Sequence, residues 1–239
     1  MWLIAHYQPV GLFSLKVGLA TSTGAKTLFL PTPFAVRTAL LDAAIRTRGL
    51  ATAPDIFEKL KGLTIAALPP ERVVVTNLFT KVLKPQRADA QREEAMQSTI
   101  AFREYAYLMG NLGLAFEGEE DTLNQLEALL PHVNYFGKRG SFFQLLAPPG
   151  WNRELPEGFV VLRGVSVNGG EVAGQVAPPF PLGIIQVMDD WGPHLTFEKV
   201  NIYSDEDIRL GQDRIREPVI LPYRLVCSSR SFSYYERIG

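Results

Sequence analysis

The sequence predicts an α+β chain: a ferredoxin-like β-α-β-β-α-β domain with a projecting insertion, followed by a mostly β C-terminal lobe. Three observations carry that prediction. Strand-like and helix-like runs follow one another in that order through the first half. Residues 84–99 hold almost no large apolar side chain. Glycine and proline punctuate everything beyond Pro148-Pro149-Gly150. The same order of elements underlies folds that recognise RNA.

Residues 2–9 and 12–19 read as β structure interrupted by Pro9-Val10-Gly11, and Thr21-Ser22-Thr23-Gly24 as a polar turn. Thr32 then offers a helix cap, with Pro33 at the first helical position, where its missing N–H costs nothing. Phe34, Leu41 and Ile45 share one face of this helix, Val36, Leu40 and Ala44 lie beside them, and Gly49 stops it. Residues 54–61 predict a second short helix, capped by Thr52 or by Pro54-Asp55. Val73-Val74-Val75 opens a strong strand that continues through Leu78, Phe79 and Val82. Runs around 100–108 and 112–117 meet at Gly110-Asn111. A helix over 122–130, carried by Leu123, Leu126, Leu129 and Leu130, leads to the loop Gly137-Lys138-Arg139-Gly140 and the aromatic strand 141–146.

Between the second and third strands, the stretch from Lys84 to Thr99 carries Lys84, Arg87, Asp89, Arg92, Glu93 and Glu94, with Met96 its main apolar residue. Such a segment adds little core and predicts a loop or projecting arm. The expected organisation is a ferredoxin-like domain over 1–147, with its insertion at about 84–99, and a C-terminal lobe over 151–239. In that lobe, Asn168-Gly169-Gly170 and Pro178-Pro179-Phe180-Pro181 are turn signals. Runs at 159–162, 184–187 and 218–221 read as strands, and 223–226 with 232–235 as a hairpin across Ser228-Ser229-Arg230.

Composition narrows the function. With 46% apolar and 21% charged residues, the 239-residue chain is globular rather than disordered. A formal net charge of −1 and a pI near 6.3 argue against a whole-surface polyanion binder, so any nucleic-acid site is a local patch. The lone cysteine, Cys227, rules out an internal disulfide and fits a reducing, cytoplasmic compartment. No apolar run approaches the roughly 20 residues that span a bilayer, and Met1-Trp2-Leu3-Ile4-Ala5 enters strand-like sequence with no basic leader, so neither a membrane nor a signal peptide is expected.

The 137–140 loop is the leading candidate site. Its glycines let the backbone turn sharply and approach a ligand, its two cations attract an anion, and an aromatic side chain on the next strand offers a stacking surface for bases. Catalytic patterns are otherwise scarce. His6, His132 and His194 are widely separated and lack zinc spacing, and no phosphate-binding loop, dinucleotide fingerprint or serine nucleophile elbow occurs. Asp189-Asp190 suits either a divalent ion or a turn before Trp191-Gly192-Pro193. His132, just before the basic loop, is a candidate general base toward an RNA 2′-hydroxyl, with Lys138 or Arg139 stabilising the phosphorane. No cofactor is expected.

Four segments resemble one family. Pro31 to Leu41 looks like the proline-rich entry to its first helix, and Asn77-Leu78-Phe79-Thr80-Lys81 like its second core strand. Phe102 to Leu108 looks like the strand returning from its thumb, and Tyr135 to Phe142 like its glycine-basic turn. On these the chain is identified as resembling the RAMP superfamily of CRISPR-associated proteins, in particular the Cas-five family of Cascade-type surveillance complexes. The resemblance covers roughly the first 150 residues and implies a non-catalytic RNA-binding subunit of a type I ribonucleoprotein used in antiviral defence. Such a subunit caps the 5′ handle of CRISPR RNA (crRNA), contacts the first backbone subunit and the large subunit, and meets target DNA indirectly through the complex. It further implies that Lys138, Arg139 and Arg37 neutralise handle phosphates, that Lys81 and Arg103 anchor RNA at the thumb base, and that Tyr105 and Phe142 stack on splayed bases. Some members of the family are instead metal-independent endoribonucleases that process the precursor transcript, for which His132 is the candidate here. A scaffold without RNA contact is the third reading.

Overall fold

The computed structural model describes residues 1–18, 20, 24–85, 96–164, 182–201 and 203–238. In β1 (Trp2–Pro9) the alternation puts Leu3, Ala5 and Tyr7 toward the main core and Trp2 and Ile4 on the opposite face. The segment expected as a strand at 12–19 forms only isolated bridges, at Phe13 and Lys16, before the two-residue β2 (Gly24–Ala25). α1 (Pro33–Arg48) begins as its sequence requires: Thr32 is extended and its hydroxyl accepts from the Ala35 N–H at 3.2 Å, and Gly49 ends it at φ 87°. α2 (Ala53–Lys61) follows, then β3 (Thr64–Leu68), β4 (Arg72–Pro85), β5 (Met96–Met109), β6 (Leu112–Glu117), α3 (Glu120–Leu129) and β7 (Phe143–Leu145).

β7, β1, β6 and β3 lie side by side in that order, every neighbour antiparallel. With α1 and α3 in the two crossovers, this is the ferredoxin-like β-α-β-β-α-β arrangement, with the helices on the face of Leu3, Tyr7, Leu114 and Phe116. Its second strand, however, is β3, not the 73–82 run. Residues 77–81 belong instead to a hairpin of β4 and β5, 14 residues each, paired from Arg72↔Met109 to Pro85↔Met96. The expected insertion at 84–99 therefore sits within a longer excursion between β3 and β6, and residues 86–95 lie outside the described residues.

The C-terminal half is woven into the first. β8 (Gly150–Asn152) adds to the free end of β1 and β9 (Val160–Val161) to β3, so pairing crosses the boundary expected at 148–150. The turns expected at 168–170 and 178–181, and residues 21–23, lie outside the described residues. β10 (Ile184–Trp191) pairs with β11 (Arg214–Leu221), with α4 (Phe197–Val200) between them. The expected terminal hairpin forms as β12 (Tyr223–Ser228) and β13 (Phe232–Arg237), and β13 docks on β4. A second sheet results, ordered β12-β13-β4-β5-β2. No helix among the described residues is long and apolar enough to cross a membrane.

α1 is buried more fully than its one-faced pattern predicts. Ala35, Val36, Arg37, Ala39, Leu40, Leu41, Ala43 and Ala44 are all buried, because α2 and β10 pack against the helix in addition to the core it shares with the ferredoxin-like sheet. Nearby, the Trp191 ring at the end of β10 stacks on Phe57 of α2, centroids 4.5 Å apart.

Candidate nucleic-acid interface

The 137–140 turn stands on a rigid aromatic base. Phe136 meets Tyr7 and Phe143 edge-on with centroids 5.3 and 5.1 Å apart, and Phe13 meets Phe143 at 5.9 Å. The Tyr7 hydroxyl donates to the Leu130 carbonyl at 2.9 Å, and burial pushes this phenol well above its ordinary pKa. Gly137 and Gly140 take positive φ, 72° and 103°, so the turn needs them, and the Ser141 N–H closes it by donating to the Lys138 carbonyl at 3.1 Å. Lys138 and Arg139 are exposed. The Lys138 ammonium lies 5.9 Å from the centroid of the Tyr105 ring on β5, a cation–π contact that joins the turn to the second sheet.

The other expected residues divide. Arg103 lies on the same side of β5 as Tyr105, two residues away. Lys81 projects from the opposite face of the hairpin, beside Ile100, and does not join that group. On Lys81's face the outer hairpin exposes Phe79 and Phe102, whose rings meet at 5.3 Å. Phe142 is 49% exposed and, with Pro131, Val133 and Asn134, lines a shallow cavity of about 430 Å³ along β7.

Arg37 is a correction. It is 5% exposed rather than on an open helix start: Nε donates to Asp190 Oδ1 at 2.7 Å, Nη2 to Asp190 Oδ2 at 3.1 Å and to the Leu63 carbonyl at 2.9 Å, and Nη1 to the Leu60 carbonyl. All three of its nitrogens are engaged in tying α1, the end of α2 and β10 together, which with its burial withdraws it from any phosphate. Asp190 and Asp189 form neither a turn nor a metal site. They lie within β10, Asp189 bound by Arg214, whose guanidinium also covers the Phe34 ring at 4.4 Å. Among the described residues no three His, Cys, Asp or Glu side chains converge on a metal-sized site. His132 is exposed, and its backbone carbonyl accepts from Arg46.

The two sheets differ in their outer faces. On the ferredoxin-like sheet, Trp2, Ile4, Ala66 and Ala115 are buried under Leu155 and Phe159. Gly113 belongs to the same face, where a Cβ would lie 3.0 Å from the Phe159 ring. This is the face on which an RNA-recognition sheet stacks bases, and over these residues the chain closes it with its own 155–159 segment. On the second sheet, registers align Phe232–Thr76–Tyr105 in one row and Tyr234–Val74–Tyr107 in the next. Tyr107 is 51% exposed and Phe232 38%. The sequence reading passed over Tyr107, Phe232 and Tyr234. Their signal was the i, i+2 spacing of aromatics in Tyr105/Tyr107 and Phe232/Tyr234, which puts each pair on one face of a strand.

No family model matches the chain. It is 30% identical over 120 residues to the CRISPR-associated protein Cas5 of Archaeoglobus fulgidus, a match covering 50% of this chain and 51% of the relative. The chain thus spans about half the length of the curated relative it matches. Among solved structures, a CRISPR protein from Archaeoglobus fulgidus aligns over 100% of this chain and 92% of its own, at 13% identity and a TM-score of 0.47. A chain of a CRISPR RNA-guided surveillance complex aligns over 100% and 91%, at 15% identity and a TM-score of 0.47. The fold assignment rests on the strand order itself, and the likeness to the Cas-five family read from the four sequence segments holds as a sequence similarity to Cas5 over half of the chain.

Proposed function

We propose that this protein is a non-catalytic, RNA-binding subunit of a type I CRISPR surveillance complex, which caps the 5′ handle of crRNA and seats the first backbone subunit and the large subunit. The observation that carries the reading is the placement of Lys138 over Tyr105. A glycine-framed turn with two exposed cations meets an aromatic sheet edge, the pairing of charge and ring that single-stranded RNA requires. The sequence likeness to Cas5 supports the same reading. Near-neutral net charge suits a subunit that makes few contacts and gains affinity through assembly.

The test is to purify the tagged protein after co-expression with its genomic neighbours and to sequence the retained RNA. Short RNAs sharing one repeat-derived 5′ end are expected, with Lys138→Ala/Arg139→Ala reducing their recovery and His132→Ala leaving their length and yield unchanged. An intact complex without such RNA overturns the reading. Precursor accumulation in the His132→Ala complex would establish the nuclease instead.

A further inference from the structure

We infer that the outer face of the second sheet is a base-stacking platform for single-stranded RNA, extending away from the basic turn; this deepens the proposed function and rests on it. Tyr105, Tyr107, Phe232 and Tyr234 occupy two adjacent rows across β13, β4 and β5, with the small or slender Thr76 and Val74 between them. The i, i+2 spacing sets successive rings on one strand roughly 7 Å apart, close to the repeat of an extended polynucleotide. Facing aromatic planes stack on any base, which gives affinity without sequence readout.

The charges bordering these rings favour a polyanion. Arg103 precedes Tyr105 along β5, Lys138 reaches the Tyr105 ring, and Arg72 flanks the Tyr234 row. Arg103 has no ion pair within 4 Å among the described residues, and Arg72 stands opposite Glu236 in the strand register. Glu236, in the row beyond the rings and opposite Arg72, is already engaged. It accepts from the Tyr234 hydroxyl at 2.7 Å and from Arg224 at 3.3 Å, which offsets its charge and fixes the Tyr234 ring. A protein partner would need a closed apolar patch, whereas here the rings are bordered by the cations Lys138, Arg103 and Arg72, the pattern of a nucleic-acid surface. The burial of Trp2, Ile4, Ala66 and Ala115 removes the ferredoxin-like sheet as the competing platform.

The test uses the full chain and a fluorescein-labelled, mixed-sequence single-stranded RNA of about ten nucleotides, long enough to pass the turn and cross the sheet. Tyr107→Ala/Phe232→Ala should weaken binding by about 10- to 100-fold, Tyr107→Trp should retain it, and the thermal melt should be unchanged. In the wild-type protein, photo-crosslinking of 5-bromouridine RNA should label peptides containing Tyr107 and Phe232. Wild-type affinity in the alanine variant together with unlabelled peptides overturns the platform; the proposed function survives that result if Lys138→Ala/Arg139→Ala still weakens binding. Loss of a co-purifying protein subunit with RNA affinity intact also overturns it, and makes the face a protein interface. A wild-type chain that binds no oligonucleotide overturns the platform, while the RNA content of the intact complex independently decides the function.

Discussion

The ferredoxin-like sheet and the hairpin sheet are built from strands with the same period-2 alternation, yet their outer faces have opposite fates. Where segment 155–159 covers the ferredoxin-like sheet, its outer face carries Trp2 and Ile4 beside the small Ala66, Gly113 and Ala115, and Leu155 and Phe159 pack against it. The hairpin sheet carries Tyr105, Tyr107, Phe232 and Tyr234 on its outer face, where Tyr107 and Phe232 are exposed and Tyr105 and Tyr234 are half-buried. Small residues leave room for a covering segment to pack, and exposed aromatic residues on an uncovered face mark a surface for another molecule. A familiar RNA-recognition topology can therefore be present while its usual RNA face is occupied.

The sharpest way to break this contrast is at the joint between the halves. Arg37→Ala leaves Asp190 and two carbonyls without their guanidinium, and should cost about 3–5 kcal/mol in urea unfolding. The surviving folded fraction should bind RNA like wild type, because Arg37 is not on the open surface; weakened binding per folded molecule would return it to the interface. A smaller loss is expected on the closed face. Gly113→Ala would put its Cβ 2.8 Å from Leu68 Cβ and 3.0 Å from the Phe159 ring. Overpacking of that kind costs about 1–3 kcal/mol, or about 2–4 °C in Tm for each kcal/mol; an unchanged Tm would show that Phe159 does not seal the face.

On the open side, Lys138→Ala/Arg139→Ala should lower RNA affinity about tenfold and reduce the slope of log K against log salt by about 1.4, the value for two phosphates on a single strand. A changed affinity with an unchanged slope would mean that these cations act by shaping the turn rather than by meeting phosphates. The smallest effect concerns Asp213, which is buried and accepts from the Arg209 N–H at 2.8 Å and from Lys199 at 2.9 Å. These donors hold its carboxyl below the ordinary value of 3.8. The contribution is therefore complete above the unfolded-state pKa and is lost as pH falls through the lower folded-state value. The gap in urea midpoint between wild type and Asp213→Asn should be constant from neutral pH down to about pH 5 and narrow below about pH 4. A gap that widens on acidification would reverse the sign of the argument.

Much of this fold was legible in the residues because local chemistry is decisive at caps and turns. Thr32-Pro33 starts α1, Gly49 ends it, Gly110-Asn111 separates β5 from β6, and the Ser228-Ser229-Arg230 turn joins β12 to β13. The basic turn was legible for the same reason: its glycines take positive φ and its cations are exposed. The second core strand was not. Thr64-Ile65-Ala66-Ala67-Leu68 is short and alanine-rich and looks weak beside the valine run at 73–75, yet its position between β6 and β9 makes it the core strand.

What the sequence determined by itself was the order of elements, their caps and the placement of two cations on a tight turn, since each depends on residues only a few positions apart. What the tertiary structure alone decided was the use of long-range partners. Asp190 lies 153 residues from Arg37 and withdraws its guanidinium from solvent. Phe159 closes one sheet, and β13 joins β4 to align aromatics from the middle and the end of the chain. Burial and ion pairing are set by whatever arrives in space, and no local pattern around Arg37 or Tyr107 records which distant segment that will be.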